Sequence, residues 1–162
     1  MDLAGSKPRV VYDNQQLFHN HSAWSFVPWH YLKAIRNRSI KKSAKYRSEV
    51  SPARRPPIFR EELEERSRGF LAKYLVAIMN SSYASEWLVK TRRNKMHIFP
   101  DDWKPFPIPA ATKAQQEEIT RLVDKILTCD NPKRIDDLEA EIDRRVQQIV
   151  VEKRNQPANV LT

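Results

Sequence analysis

Nine lysine and arginine side chains lie between Arg36 and Arg60, and the one acidic residue in this stretch is Glu49. The stretch therefore carries a net charge of +8, whereas the whole chain carries +9. A basic patch confined to one stretch creates a field that attracts polyanions. This pattern favours contact with nucleic acid, and its alternative is a basic loop that is merely solvated.

Twelve residues in two groups are candidate DNA contacts. In the first group, basic side chains that suit phosphates or a guanine edge alternate with polar ones, of which Asn37 suits an adenine edge. The second group precedes a predicted strand and is expected to flank the same groove. The candidates are Arg36, Asn37, Arg38, Ser39, Lys41, Lys42, Lys45, Tyr46, Arg47, Arg92, Arg93 and Lys95.

The sequence contains few residues or motifs that are typical of a catalytic site or a metal site. Two glycines cannot build a glycine-rich phosphate loop. The carboxylate pair Asp101-Asp102 is the kind that nuclease metal sites use, but it stands before Trp103 in a predicted turn, which explains it more simply. We therefore predict no catalytic residue, no metal site and no self-sufficient enzyme in this chain.

The expected compartment is the cytoplasm, without a membrane partner. The single cysteine, Cys129, cannot form an internal disulfide, which suits a reducing environment. No apolar run approaches the roughly 20 residues that a membrane span needs.

The elements that must position the basic residues are predicted to combine strands and helices. Alternating side chains and proline spacing indicate strands, and apolar residues at helical spacing indicate helices. Strands are predicted over residues 10–12, 23–27, 96–99 and 105–109, and helices over 29–35, 61–68, 70–79 and 83–89. The tryptophans are interpreted as core fillers rather than base-stacking residues.

The last third of the chain predicts an antiparallel helical hairpin. Thr112 and Gln115 form a capping box, an apolar stripe follows, and Asn131-Pro132 separates it from a second stripe. The predicted fold class is α+β, a small mixed sheet with packed helices and this C-terminal hairpin. The predicted domains are a DNA target-recognition domain over 1–110, the hairpin over 111–154 and a flexible tail over 155–162.

Three ordered segments, residues 28–47, 73–81 and 98–127, resemble one family. It is the TaqI-like C-terminal specificity domain of adenine-specific DNA methyltransferases, as found in single-chain type II restriction-modification enzymes. Residues 138–144 also resemble the closing helix of that family, and the resemblance spans roughly residues 24–146. The chain departs from the family after Arg144, and the family's catalytic domain is absent from it.

The resemblance implies a module that holds double-stranded DNA while a methyltransferase catalytic domain or subunit methylates an adenine. It implies no cofactor in this chain, because S-adenosylmethionine is expected in the partner catalytic domain. Two alternatives stay open. One is a protein-interaction or structural module with a solvated basic loop, and the other is an RNA-binding domain, although no aromatic strand signature of an RNA-recognition motif is visible.

Overall fold

The computed structural model describes residues 8–15, 24–35, 37–38, 59–94 and 97–155. Within these residues the chain forms one 3-10 helix and six α-helices. The 3-10 helix is Trp29–Leu32, and the α-helices are α1 (Arg60–Arg68), α2 (Ala72–Asn80), α3 (Ser82–Thr91), α4 (Pro100–Trp103), α5 (Lys113–Leu127) and α6 (Pro132–Asn155).

The predicted α+β class is wrong, because the described residues contain helices and no strand. Residues 24–27 alternate as a strand does, but Trp24 and Phe26 are 56% and 46% exposed, so the alternation marks no buried sheet face. The carbonyls of Pro107 and Pro109 accept hydrogen bonds from the hydroxyls of Tyr83 and Tyr74, not from a neighbouring strand. Large alternating side chains indicate an extended chain, but a sheet also needs a partner for the backbone.

The chain divides into two compact units. Unit 1 comprises Met1–Phe18 and Leu71–Thr162, and unit 2 comprises His19–Phe70. Unit 2 is thus an insertion between two segments of unit 1. The predicted division at residues 110 and 154 stays a prediction, and residues 156–162 of the predicted tail lie outside the described part of the chain.

The core of unit 1 lies among α2, α3, α5 and α6. The helical stripes bury their apolar side chains there, as the burial of apolar surface requires. The largest fully buried side chains are Tyr74, Ile78, Leu88, Ile119 and Val146.

Helices α5 and α6 pack antiparallel. Gln115 in the first turn of α5 donates a hydrogen bond to Glu152 near the end of α6, at 3.0 Å. The capping box predicted at the start of α5 is confirmed: Gln115 N–H donates to Thr112 Oγ1 at 3.3 Å, and Thr112 N–H donates to Gln115 Oε1 at 2.9 Å.

Helix α3 is fixed at its N-terminus by groups from two elements. The Ser81 hydroxyl accepts a hydrogen bond from the Ala84 N–H, which is ordinary N-capping. The Ser82 N–H donates to Asp143 of α6 at 2.7 Å, and Gln147 of α6 donates to the Ser82 hydroxyl at 2.7 Å. These bonds tie α3 to α6 and so set where the C-terminus of α3, with Arg92, lies in unit 1.

In unit 2, the 3-10 helix packs against α1. Leu63 of α1 is buried. The His30 N–H donates to the Ser67 hydroxyl at 2.9 Å, and that hydroxyl donates to the Glu64 carbonyl at 2.8 Å. A short 3-10 helix is therefore held by polar contacts with the last turns of α1.

Candidate nucleic-acid interface

The structure describes four of the twelve predicted DNA contacts. Asn37 and Arg38 are exposed in unit 2, whereas in unit 1 Arg92 is half-buried and Arg93 is exposed. The other eight lie outside the described residues, namely Arg36, Ser39, Lys41, Lys42, Lys45, Tyr46, Arg47 and Lys95. The geometry therefore concerns how the two groups are positioned, and each unit is treated separately.

The residues just before the basic stretch are anchored by Arg60, the last member of the stretch. The Arg60 guanidinium donates to the carbonyl of Ile35 at 2.9 Å and also to the carbonyl of Leu32. It forms an ion pair with Glu64 at 2.8 Å, and the two side chains are 22% and 11% exposed. The charge of Arg60 is thus compensated within unit 2, and this arginine holds the chain just before Arg36 instead of facing a polyanion.

The backbone turns sharply between the 3-10 helix and the basic stretch. Ala34 has a φ of 65°, in the left-handed region that residues other than glycine rarely adopt. The Ile35 N–H donates to the Leu32 carbonyl at 3.0 Å, which closes the turn. The Arg60 guanidinium also donates to the Leu32 carbonyl, so two donors hold this turn.

Helix α1 carries its own charge balance. Glu62 pairs with Arg66, and Glu65 pairs with Arg68, each one helical turn apart. The excess positive charge of unit 2 therefore lies in the stretch that precedes α1, where Glu49 is the one acidic residue.

In unit 1, Arg93 is held by two carboxylates. Its guanidinium lies 3.4 Å from Asp101 and 3.7 Å from Asp102. Asp102 is buried and accepts the Phe99 N–H at 2.8 Å, so it caps α4. The role of Arg93 as a DNA contact stays a prediction, but a phosphate would compete with these carboxylates for its guanidinium.

Asp101 is the more exposed member of the pair, and its charge is balanced by cations. A hydrogen bond from Lys104 and the charge of that lysine, with further contributions from Arg93, lower the pKa of the Asp101 carboxyl below its ordinary value. Both carboxylates are thus occupied by turn and loop contacts. Among the described residues, no group of His, Cys, Asp or Glu side chains could hold a metal ion.

An aromatic cluster is centred on Phe106, shortly after the Asp101-Asp102 pair in sequence. Phe106 is buried and contacts Tyr83, Trp87 and Trp103, with ring centroids 5.5, 6.2 and 5.4 Å away. Two of the four tryptophans therefore pack as fillers, at half-buried positions. The interpretation of Trp24 as core is wrong, since that side chain is mostly exposed.

Two tyrosine hydroxyls fix the extended segment that follows. Tyr74 donates to the Pro109 carbonyl at 2.7 Å, and Tyr83 donates to the Pro107 carbonyl at 2.9 Å. Burial raises the pKa of both hydroxyls above the ordinary value. Both groups stay protonated at neutral pH and act as structural donors.

Sequence reasoning missed the anchoring residues Arg60 and Ser67. The (i, i+4) spacing of Arg60 and Glu64 was a visible signal for an ion pair. Nothing in the sequence could show that the same guanidinium binds carbonyls 25 and 28 residues earlier.

No family model matches this chain, nor does any curated protein or any solved structure. The resemblance to TaqI-like specificity domains therefore stays a hypothesis. Each helix among the described residues is either too short or too polar to span a lipid bilayer.

Proposed function

We propose that this chain is a DNA-binding target-recognition module of an adenine-specific DNA methyltransferase in a restriction-modification system. It positions duplex DNA for methylation by a separate catalytic domain or subunit, which binds S-adenosylmethionine. The observation that carries the proposal is the charge distribution, because nearly all of the net charge of +9 comes from the stretch between Arg36 and Arg60. The compartment that fits this role is the cytoplasm.

The anchoring of that stretch supports the proposal. Arg60 belongs to the stretch, but its guanidinium forms an ion pair with Glu64 and hydrogen bonds with backbone carbonyls. It holds Leu32 and Ile35, which precede the basic stretch in sequence. A binding segment that starts from a fixed point loses less conformational entropy when it meets its ligand.

Binding through phosphate contacts predicts how strongly the association constant depends on salt concentration. If five phosphates are neutralised, the logarithm of the association constant should fall with the logarithm of salt concentration at a slope of about −4.5. Anisotropy titrations of a labelled duplex at several salt concentrations measure this slope. A slope close to zero would contradict binding through phosphates.

A charge-reversal pair of variants tests the location of the site. The site variant changes Arg36, Arg38, Lys41 and Lys42 to Glu, and the control variant makes the same charge change at the exposed residues Arg121, Lys125, Lys133 and Arg134 of α5 and α6. We expect the site variant to bind duplex DNA about 100-fold more weakly than the control at equal salt. Equal binding by the two variants would remove the basic stretch from the mechanism.

One observation favours the second candidate function, a protein-interaction module with a solvated basic loop. Trp24, Tyr31 and Phe59 of unit 2 are large apolar side chains with more than half of their surface exposed. Exposed aromatic residues are enriched at protein interfaces. If wild-type chain fails to bind duplex DNA in dilute buffer, this candidate replaces the first.

A further inference from the structure

The strap, residues 8–13, lies in unit 1 outside any helix or strand. Its exposure alternates, with Pro8, Val10 and Tyr12 half-buried and the residues between them exposed. This period of two is typical of a strand that packs one face. Within the described residues, however, no strand pairs with it.

The backbone of the strap is bound by one side chain of α2. The Val10 N–H donates to Asn80 Oδ1 at 2.8 Å, and Asn80 Nδ2 donates to the Val10 carbonyl at 2.7 Å. The Asn80 amide thus satisfies both backbone groups of one residue, as an opposite residue does in an antiparallel hydrogen-bonded pair. Asn80 Nδ2 also donates to the Val76 carbonyl at 3.0 Å, which orients the amide before any ligand arrives.

A second side chain of α2, Lys73, contacts the aromatic ring of Tyr12 in the strap. Lys73 Nζ lies 4.9 Å from the centroid of the Tyr12 ring, within the range of a cation–π contact. The ammonium is held by an ion pair with Asp124 of α5. Lys73 and Asn80 are two helical turns apart and so lie on the same face of α2.

We propose that this face of α2, the strap site formed by Lys73, Val76 and Asn80, is a binding site for an extended polypeptide. Its ligand has an apolar residue two positions before an aromatic one, and the chain's own residues 8–13 occupy it in cis. Because Asn80 contacts backbone groups, we expect the site to accept any apolar side chain at the position of Val10, which is half-buried. Covalent attachment gives the strap a high effective concentration, so it excludes the same peptide added in trans.

The test weakens the contacts of the strap in the full chain and then measures binding of an added peptide to the strap site. A double variant, Val10→Pro with Tyr12→Ala, removes the N–H donor and the ring from the strap. A fluorescein-labelled peptide with the sequence of residues 8–15 should then bind this variant at least about tenfold more tightly than it binds wild-type chain. Val11→Pro is the matched control, because alternate residues of a strand direct their backbone groups to opposite sides, and this variant should keep the site closed.

Adding Asn80→Leu to the double variant should abolish the peptide binding. Circular dichroism of each variant checks that α2, which carries the buried Tyr74 and Ile78, is still folded. The inference is overturned if the opened variant binds the peptide no better than wild type, or if Asn80→Leu leaves that binding unchanged.

Amide hydrogen exchange in the otherwise intact chain gives a second, independent measurement. The Val10 amide should exchange at least about tenfold faster in Asn80→Leu than in wild type, while Asn80→Asp, which keeps the acceptor, should retain most of the protection. An unprotected Val10 amide in wild type would also overturn the inference. Neither experiment involves DNA, so its outcome is independent of the proposed function.

Discussion

The described parts of units 1 and 2 bury their apolar side chains to very different extents. All five of the largest fully buried side chains belong to unit 1. In the described part of unit 2, Leu63 is the buried apolar side chain, whereas Tyr31 and Phe59 are 61% and 68% exposed. Unit 1 is held by packing and the described part of unit 2 by a few polar anchors, so the apolar core and nine of the twelve predicted DNA contacts reside in different units.

The same difference applies to charge. Unit 2 contains the stretch with +8, so the rest of the chain, most of which is unit 1, is close to neutral. Concentrated positive charge destabilises a compact structure through self-repulsion. Because the basic stretch and the apolar core belong to different units, repulsion among the basic side chains does not act within the packed core.

The largest expected effect comes from the same substitution made in each unit. Ile78→Ala removes a fully buried side chain from unit 1 and should lower the free energy of unfolding by about 2–5 kcal/mol. Ile35→Ala in unit 2 removes a side chain that is 43% exposed and should cost less than about 1 kcal/mol. Urea unfolding followed by circular dichroism measures both. Equal costs would break the contrast between a packed unit and an anchored one.

Arg60→Met tests whether polar contacts, rather than packing, stabilise the described part of unit 2. It removes the donors to Leu32 and Ile35 and leaves Glu64, which is mostly buried, without its cation. We expect a local loss of about 1.5–3 kcal/mol, seen as faster hydrogen exchange in the 3-10 helix. Unit 1 should keep its exchange rates.

The control for this prediction is Arg66→Met. Arg66 forms the same kind of (i, i+4) pair with Glu62, but its side chain is 64% exposed. This variant should change stability by less than about 0.5 kcal/mol. If it matches Arg60→Met, the carbonyl contacts of Arg60 contribute nothing.

Tyr74→Phe tests the core of unit 1 through pH. Loss of the hydrogen bond to the Pro109 carbonyl should cost about 1–1.5 kcal/mol at neutral pH. Burial raises the pKa of Tyr74 in the folded chain, so its stabilising effect is complete below about pH 10 and is lost as the pH rises toward the folded value. Wild-type stability should fall by up to about 1.4 kcal/mol per pH unit from this group above pH 10.

The variant should show a flatter alkaline profile than wild type. Urea unfolding at a series of pH values from 8 to about 11.5 measures it, and the direction follows from proton linkage. An unchanged alkaline slope in Tyr74→Phe would assign the loss of stability to another group, with Tyr83 the first to examine.

Among the test variants, leaving the controls aside, the smallest predicted effect is at the start of α5. Thr112→Ala removes the acceptor for the Gln115 N–H and should cost about 1 kcal/mol. Thr112→Ser retains the hydroxyl and should stay within about 0.3 kcal/mol of wild type. Thermal unfolding of the two variants measures the difference, and equal melting temperatures would mean that the cap contributes nothing to unit 1.

The helices were predictable because their signals are local. Apolar residues recur at helical spacing in α2, α5 and α6, and the capping box at Thr112 needs only four residues. The strands were mispredicted because a short pattern such as the alternation over residues 23–27, or the mostly apolar run over 96–99, indicates an extended chain without showing a partner strand. Residues 97–99 of the second segment form no strand.

The candidate site was predictable in charge but not in geometry. Counting Lys and Arg located the basic stretch. The anchors that position the chain join residues far apart in sequence, as Arg60 does with Leu32 and Asn80 does with Val10, 70 positions away. Such pairs depend on how the elements pack, which no short window of sequence contains.

The insertion of unit 2 into unit 1 bears on how such a chain can diversify. The chain re-enters unit 1 at Leu71, whose N–H donates to the side-chain oxygen of the buried Gln116 at 2.9 Å. The segment of unit 1 that precedes unit 2 is bound at Val10 by Asn80 of α2. Closing a longer loop between secured ends is inexpensive, at about 0.6 kcal/mol for each doubling of its length. Recombination at these two junctions would exchange one basic cassette for another of different size, while the helical scaffold that receives it is inherited intact.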